Sequence, residues 1–140
     1  MLSKSQFIRG LQCHKSLWLL KHRKELRDKP DAQQQALFET GHTVGDLACQ
    51  LFPGGVEIEF DPQNFNRMIE QTRHLIDEGI EVIYEAAFKE NGVFAMADIL
   101  VKNGDAWDVY EVKASTGVKD YHLNDATVQW YALSNVLKLN

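Results

Sequence analysis

Apolar residues recur at steps of three and four through the first half of the chain, alternate through residues 82–114, and return to helical spacing near the end. Ser3-Lys4-Ser5-Gln6 has the form of a capping box. It opens a helical stretch with Phe7, Leu11, Leu17, Trp18 and Leu20 on its apolar side and a break at Gly10. Residues 24–30 are charged and end at Pro30, which reads as a connection. Asp31 starts a second helix, with Gln34 at the capping-box position. There Leu37, Gly41, Val44, Ala48 and Leu51 form one face whose small residues admit a close neighbour, and Phe52-Pro53-Gly54-Gly55 ends it. Val56–Phe60 reads as a short extended segment. Asp61-Pro62 opens a helix with a buried stripe of Phe65, Met68, Ile69, Thr72, Leu75 and Ile76, ended by Gly79. The last helix spans Tyr121–Leu137, with Leu123, Ala126, Trp130, Leu133, Val136 and Leu137 as its apolar face.

Between Glu81 and Ser115 the alternation predicts three antiparallel strands, because Asn91-Gly92 and Asn103-Gly104 each separate runs of β-formers. With two-residue turns at both, Glu90 faces Val93 and Glu85 faces Asp98. Lys102 faces Asp105, so Asp98 faces Val109 and lies diagonal to Glu111. Glu85, Asp98, Glu111 and Lys113 then converge on one face, with opposed and diagonal Cβ atoms roughly 5–8 Å apart. The other face is apolar from Val82 to Ala114 apart from Asp108. The charged face also carries Ile83, Phe94, Met96, Leu100, Trp107 and Val109, so helices are expected on both sides and the fold class is α/β (α+β). Half-buried carboxylates repel one another unless positive charge joins them; Lys113 supplies one charge and a divalent cation would supply the rest. The plain alternative is that Glu111 and Lys113 form an ordinary surface ion pair.

At 140 residues the chain is read as one domain. Its net charge of −5 disfavours simple electrostatic binding of nucleic acid, but the charge is unevenly spread. Residues 1–29 hold eight Lys/Arg against Glu25 and Asp28, a local +6 that leaves −11 for the remainder. A basic helical arm (1–30) beside an acidic core (31–140) fits a segment that tracks phosphates, and equally a solvated helix face. There is no apolar run of membrane-spanning length and no signal-peptide pattern, and Cys13 and Cys49 are too few for a disulfide framework. A cytoplasmic protein without a membrane partner is the expectation. Helices, a meander and one further helix leave sheet edges open, so the order anticipates a final strand from a longer chain, this one being C-terminally truncated.

Asp98, twelve residues, then Glu111-Val112-Lys113 on neighbouring strands resembles the PD-(D/E)xK nuclease superfamily. Within it the chain is similar to the RecB-type branch, which includes CRISPR-associated exonucleases carrying an iron–sulfur cluster. The stretch KDYHLNDATVQWYAL is similar to that branch's helix with a glutamine beside the metal, the position of Gln129. The resemblance implies a restriction-endonuclease-like αβββαβ core and hydrolysis of phosphodiester bonds, in DNA rather than RNA, for repair, recombination or defence. It implies Mg²⁺ or Mn²⁺ held by Asp98, Glu111 and the backbone carbonyl of Val112, with Glu85 added from the register alone. Lys113 would position or deprotonate the attacking water, Gln129 would orient substrate or water, and Asp125 and Tyr131 would line the site. LSKSQFIRGLQCHKSLWLL is similar to the start of the iron–sulfur members, with Cys13 as the first ligand of a 4Fe–4S cluster whose other cysteines would follow Asn140. Gly45 stands where the branch's first core helix carries a histidine, and Leu133 where its last motif carries a tyrosine. The alternative is a catalytically inactive nucleic-acid-binding module of the same fold. The oligomeric state is left open.

Overall fold

A computed structural model describes residues 1–140. A two-residue strand β1 (Leu2–Ser3) runs into helices α1 (Lys4–Gln12) and α2 (His14–His22), followed by a 3₁₀ turn at Lys24–Leu26 and by α3 (Ala32–Cys49). Then come β2 (Val56–Glu57), α4 (Phe65–Asp77), the strands β3 (Val82–Glu90), β4 (Val93–Asn103) and β5 (Ala106–Tyr110), and finally α5 (Asp120–Ser134). The chain is a mixed α/β protein of the α+β kind.

Local capping signals act where the sequence places them at two starts and not at a third. Ser3 Oγ accepts the Gln6 N–H while Gln6 reaches back to the Ser3 N–H, both at 3.3 Å. Asp31 accepts the Gln34 N–H at 2.8 Å. The third start lies beyond Asp61-Pro62: Asn64 caps α4 by accepting the Arg67 N–H at 3.1 Å, after Asp61 has used its carboxylate on the Gln63 N–H. The break after α1 falls at Cys13, which is extended (φ −162°), and not at Gly10. Gly10 is buried against Leu17, whose Cδ2 would lie 2.9 Å from a Cβ, so its hydrogen side chain serves a close helix–helix approach.

β3, β4 and β5 form the antiparallel meander, and two short parallel strands extend it into a mixed five-stranded sheet. β2 pairs with β3, while β1 and β5 share the far edge of β4, β1 at Val93–Phe94 and β5 at Ile99–Asn103. The first turn has the expected register, Glu90 facing Val93, with Asn91 (φ 45°) and Gly92 (φ 80°) both left-handed as a type I′ turn requires. The second turn corrects the sequence register. Asn103 stays in the strand facing Ala106, its side chain donating to Asp108, and the turn is Gly104-Asp105 with only Gly104 left-handed (φ 64°). Lys102 therefore faces Trp107, and Leu100, not Asp98, faces Val109. Continued by one residue, this register sets Glu111 level with Asp98; a displacement of two residues keeps every side chain on its face. β5 nevertheless ends at Tyr110, so Glu111, Val112 and Lys113 lie just past the strand instead of on it.

Ala86, Ala87 and Phe88 are buried in succession, as are Phe94 and Ala95, so the middle of the sheet is covered on both faces. α4 sets fully buried Met68 and Thr72 against β3, the Met68 side chain contributing about 1.5–3 kcal/mol by its burial. Thr72 Oγ1 accepts the Ala87 N–H at 2.9 Å, satisfying an edge group that the two-residue β2 does not reach. α5 packs on β3 and β4 through Val128, Gln129, Ala132 and Leu133. Of the face expected for it, Leu123, Ala126, Trp130 and Val136 are exposed, because the small Ala132 lets the helix approach closely and Gln129 turns inward.

The close neighbour expected on the small-residue face of α3 is not found along the helix: no residue of α3 is buried, and Leu37 and Leu51 of that face are more than half exposed. Its C-terminal end is tied to the sheet by Tyr84, whose hydroxyl donates to Phe52 O (2.5 Å) and lies 3.3 Å from Cys49 O. Gly55 lies on that ring so closely that a Cβ would come within 2.4 Å of it. Near the end of the chain Leu139 forms a parallel bridge to Trp107. No helix is long and apolar enough to cross a membrane.

Candidate active site

Where β5 ends, the chain turns over the free edge of β4 between its contacts with β1 and β5. The Val112 N–H donates to Asp98 Oδ2 at 2.6 Å, which pins the Glu111–Lys113 segment beside the strand. Glu111 then points back at three donors, one on α1, one two residues along its own segment and one on α5. Lys4, the first residue of α1, lies 2.9 Å from its Oε1 and 3.1 Å from its Oε2. Lys113 bonds Oε1, and Gln129 of α5 donates to Oε2 while also donating to Met96 O at 3.1 Å. Asp125, one turn before Gln129, accepts from Lys113 at 2.6 Å and lies 3.7 Å from Lys4. Glu85 completes the group from β3. Its backbone is left-handed (φ 54°), interrupting the ladder between Tyr84↔Ile99 and Ala86↔Ala97. Such a conformation is costly for a non-glycine residue and marks a place where surrounding structure holds strain.

Five carboxylates (Glu57, Glu85, Asp98, Glu111, Asp125) face two ammonium groups (Lys4, Lys113), a formal excess of three negative charges when all are ionised, and Asp46 of α3 adds a sixth carboxylate to the same cavity. The imbalance shows in proton affinities. Glu85 is pushed up to about 7, first by burial and then by the charge of Asp98. Asp98 is also raised, by burial and then by Glu111, against the opposing pull of the Val112 N–H and the two lysines. For Glu111, burial alone would raise the carboxyl, but the Lys4 ammonium, followed by Lys113, outweighs it and holds the group down at about 2. Burial would lower Lys113, yet its bonds to Asp125 and Glu111 keep it above the ordinary lysine range. Negative charge is thus stabilised on Glu111 and opposed on Glu85 and Asp98.

These groups line one wall of a cavity of about 470 Å³. The opposite wall is α3, which contributes Gly41, His42, Gly45, Asp46 and Cys49. The side of α3 that bears His42 and Asp46 therefore looks across at Asp98 and Glu111. A Cβ at Gly41 or Gly45 would meet nothing within 4 Å, so both glycines leave open volume. A second cavity of about 400 Å³ adjoins the first, sharing Ser5, Lys113 and Asp125 and adding Arg9 and His122.

Of the residues singled out from sequence, Glu85, Asp98, Glu111, Val112, Lys113 and Asp125 line this one cavity, and Gln129 contacts it through Glu111. Tyr131 does not line it: the residue is exposed, its hydroxyl accepting from Asn91 at the first hairpin turn. Cys13 is an exposed free thiol at the α1–α2 junction. Lys4 carries no sequence signal that would join it to Glu111, 107 positions away, since only the pairing of β1 with β4 brings it there.

No group of three His, Cys, Asp or Glu side chains is arranged to hold a metal ion. The donor chemistry nevertheless suits a hard divalent cation, with carboxylate oxygens of Asp98, Glu111 and Glu85 beside the peptide of Val112 and excess negative charge to neutralise. What stands against immediate coordination is the set of amines on Glu111. No family model, no curated protein and no solved structure matches the chain.

Proposed function

We propose that this protein is a metal-dependent nuclease domain of the PD-(D/E)xK kind, with a restriction-endonuclease-like core, hydrolysing phosphodiester bonds in nucleic acid, preferentially DNA. The observation that carries the reading is the meeting of Asp98, Glu111, Lys113 and Gln129 beside one open cavity at the end of a meander strand. The helix–meander–helix order agrees with an αβββαβ arrangement, and the bridge from Leu139 to Trp107 stands where its last strand would begin. Three linked clefts support an anionic polymer as substrate. Arg9 borders both the second cavity and a cleft of about 450 Å³ that also carries Arg23 and Arg27.

Asp98, Glu111 and the Val112 carbonyl would hold Mg²⁺ or Mn²⁺, with Glu85 as a further oxygen donor. When bound, the cation supplies Lewis-acid polarisation of the phosphoryl oxygen and a more acidic water. Gln129 fixes the orientation of Glu111 by bonding it and Met96 O together. Lys113, held by Glu111 and Asp125, presents a positive charge to the developing phosphorane and orients the attacking water. Water adds to phosphorus, the P–O bond to the leaving nucleoside breaks, and the leaving oxygen takes up a proton.

The test is cleavage of single- and double-stranded DNA with Mn²⁺ or Mg²⁺, for which Lys113→Ala and Glu111→Gln should each lose at least about 10²–10³ in rate. Unchanged cutting by both variants would refute the assignment. The engagement of both Glu111 oxygens by Lys4, Lys113 and Gln129 favours one second reading, a non-cleaving nucleic-acid-binding module. It predicts DNA binding that is indifferent to metal and to Glu111→Gln.

A further inference from the structure

Glu111 is the most heavily engaged carboxylate in the molecule. Oε1 accepts from Lys4 and Lys113, and Oε2 from Lys4 and Gln129. A carboxylate offers about four lone-pair sites, so these four contacts fill it. An entering cation can reach Glu111 only if one donor withdraws, and the three donors are not equally free to do so. Gln129 is buried and anchored a second time at Met96 O. Lys113 is anchored a second time at Asp125, 2.6 Å away. Lys4 has only a 3.7 Å approach to Asp125 besides Glu111, yet it alone covers both oxygens.

The backbone of Lys4 is held on both sides. Leu2–Ser3 pairs with Val93–Phe94, the Leu2 N–H donates to Gly92 O at 2.8 Å, and the Ser3–Gln6 box starts the helix at Lys4 itself. Its side chain is therefore the mobile part, a long flexible stem on a fixed base. Resting on the metal-dependent reading above, we infer that Lys4 is a competing cation of the site. Its ammonium occupies Glu111 in the cation-free protein, yields both oxygens when a divalent ion binds, and is then free to meet anionic substrate in the same cavity. The N-terminal strand–helix unit is on this view part of the active centre and not only a basic arm.

Calorimetric titration with Mn²⁺ alone tests this without any activity measurement. Lys4→Met should bind Mn²⁺ about tenfold more tightly than the unmodified sequence, as removal of a charge-assisted competitor requires, and Lys4→Arg should not. Glu111→Gln should abolish the binding in either background. Wild-type binding with no gain in Lys4→Met would overturn the exchange while leaving the nuclease reading intact. Absence of Mn²⁺ binding in every form at millimolar metal would overturn both. A measurement on the unsubstituted chain covers the case of a poorly folded variant. Acetylation of Lys4, read by mass spectrometry, should accelerate when Mn²⁺ is added, and an unaltered rate would likewise reject the exchange.

Discussion

The sheet wall of the cavity and the α3 wall opposite it hold their polar groups in contrasting ways. On the sheet side, Lys4, Glu111 and Asp125 have side chains less than one-fifth exposed, and each contacts at least two charged partners. On the α3 side no residue is buried, and two glycines face open volume. The difference separates a wall in which every charge depends on its neighbours from one that can be altered freely. Substitutions on the first should propagate into folding, whereas those on the second should act on ligand binding alone.

The largest effect is expected for Glu111→Ala, which removes one partner each from the Lys4 and Lys113 ammonium groups and from the Gln129 amide. Urea denaturation should show a loss of about 2–4 kcal/mol, together with loss of cleavage. A loss under about 0.5 kcal/mol would mean that the sheet wall is no more interdependent than a surface ion pair.

Glu85→Gln should act in the opposite direction. Because the folded-state carboxyl is raised to about 7, the native protein holds a proton that the unfolded chain has released, and stability falls as pH rises through that value. Stability measured from pH 4 to pH 8 should decline in the parent from about pH 4.5 to about pH 7 and level off above that. The variant should lose much of this slope and be about 1–2 kcal/mol more stable at pH 8, after allowance for solvent screening of a partly exposed group. A slope identical in both proteins would remove Glu85 from the buried set.

Tyr84→Phe probes the tie between the walls. Removing a hydroxyl that donates to Phe52 O and accepts the Gly55 N–H should cost about 1 kcal/mol and quicken amide exchange near the end of α3. Amide exchange as slow as in the parent would show that α3 is held by something else.

The smallest effect on folding belongs to Gly45→His. Open volume and improved helix propensity predict stability equal to the parent or higher by up to about 0.5 kcal/mol. The new imidazole, facing the cavity, should tighten Mn²⁺ binding severalfold by calorimetry. Unchanged affinity would place α3 too far from the carboxylates to share an ion with them.

Features encoded within a few residues were legible from sequence. Asp31 and Ser3 cap their helices, Asn91-Gly92 makes a type I′ turn, and the strand alternation puts Glu85 and Asp98 on neighbouring strands in the expected register. Each depends on backbone dihedrals or hydrogen bonds within one cap or one hairpin, so the local order of residues sets the outcome. Register at the second turn was not legible, because Asn103-Gly104-Asp105 permits two placements of the turn. The bond from Asn103 to Asp108 accompanies the one adopted.

Tertiary structure alone decided the rest. Periodicity marks α3 and α5 as helices but does not say which side is covered, since that depends on which neighbours approach. α3 meets almost none along its length, and α5 turns Gln129 inward. The same holds for the centre of the candidate site. Asp98, Glu111 and Lys113 share a short stretch of chain and announce themselves through spacing, whereas Lys4 reaches Glu111 only because a two-residue strand docks at the far end of β4. An ion pair between residues 107 positions apart leaves no periodic or compositional trace, because its energy depends on distance in space and not along the chain.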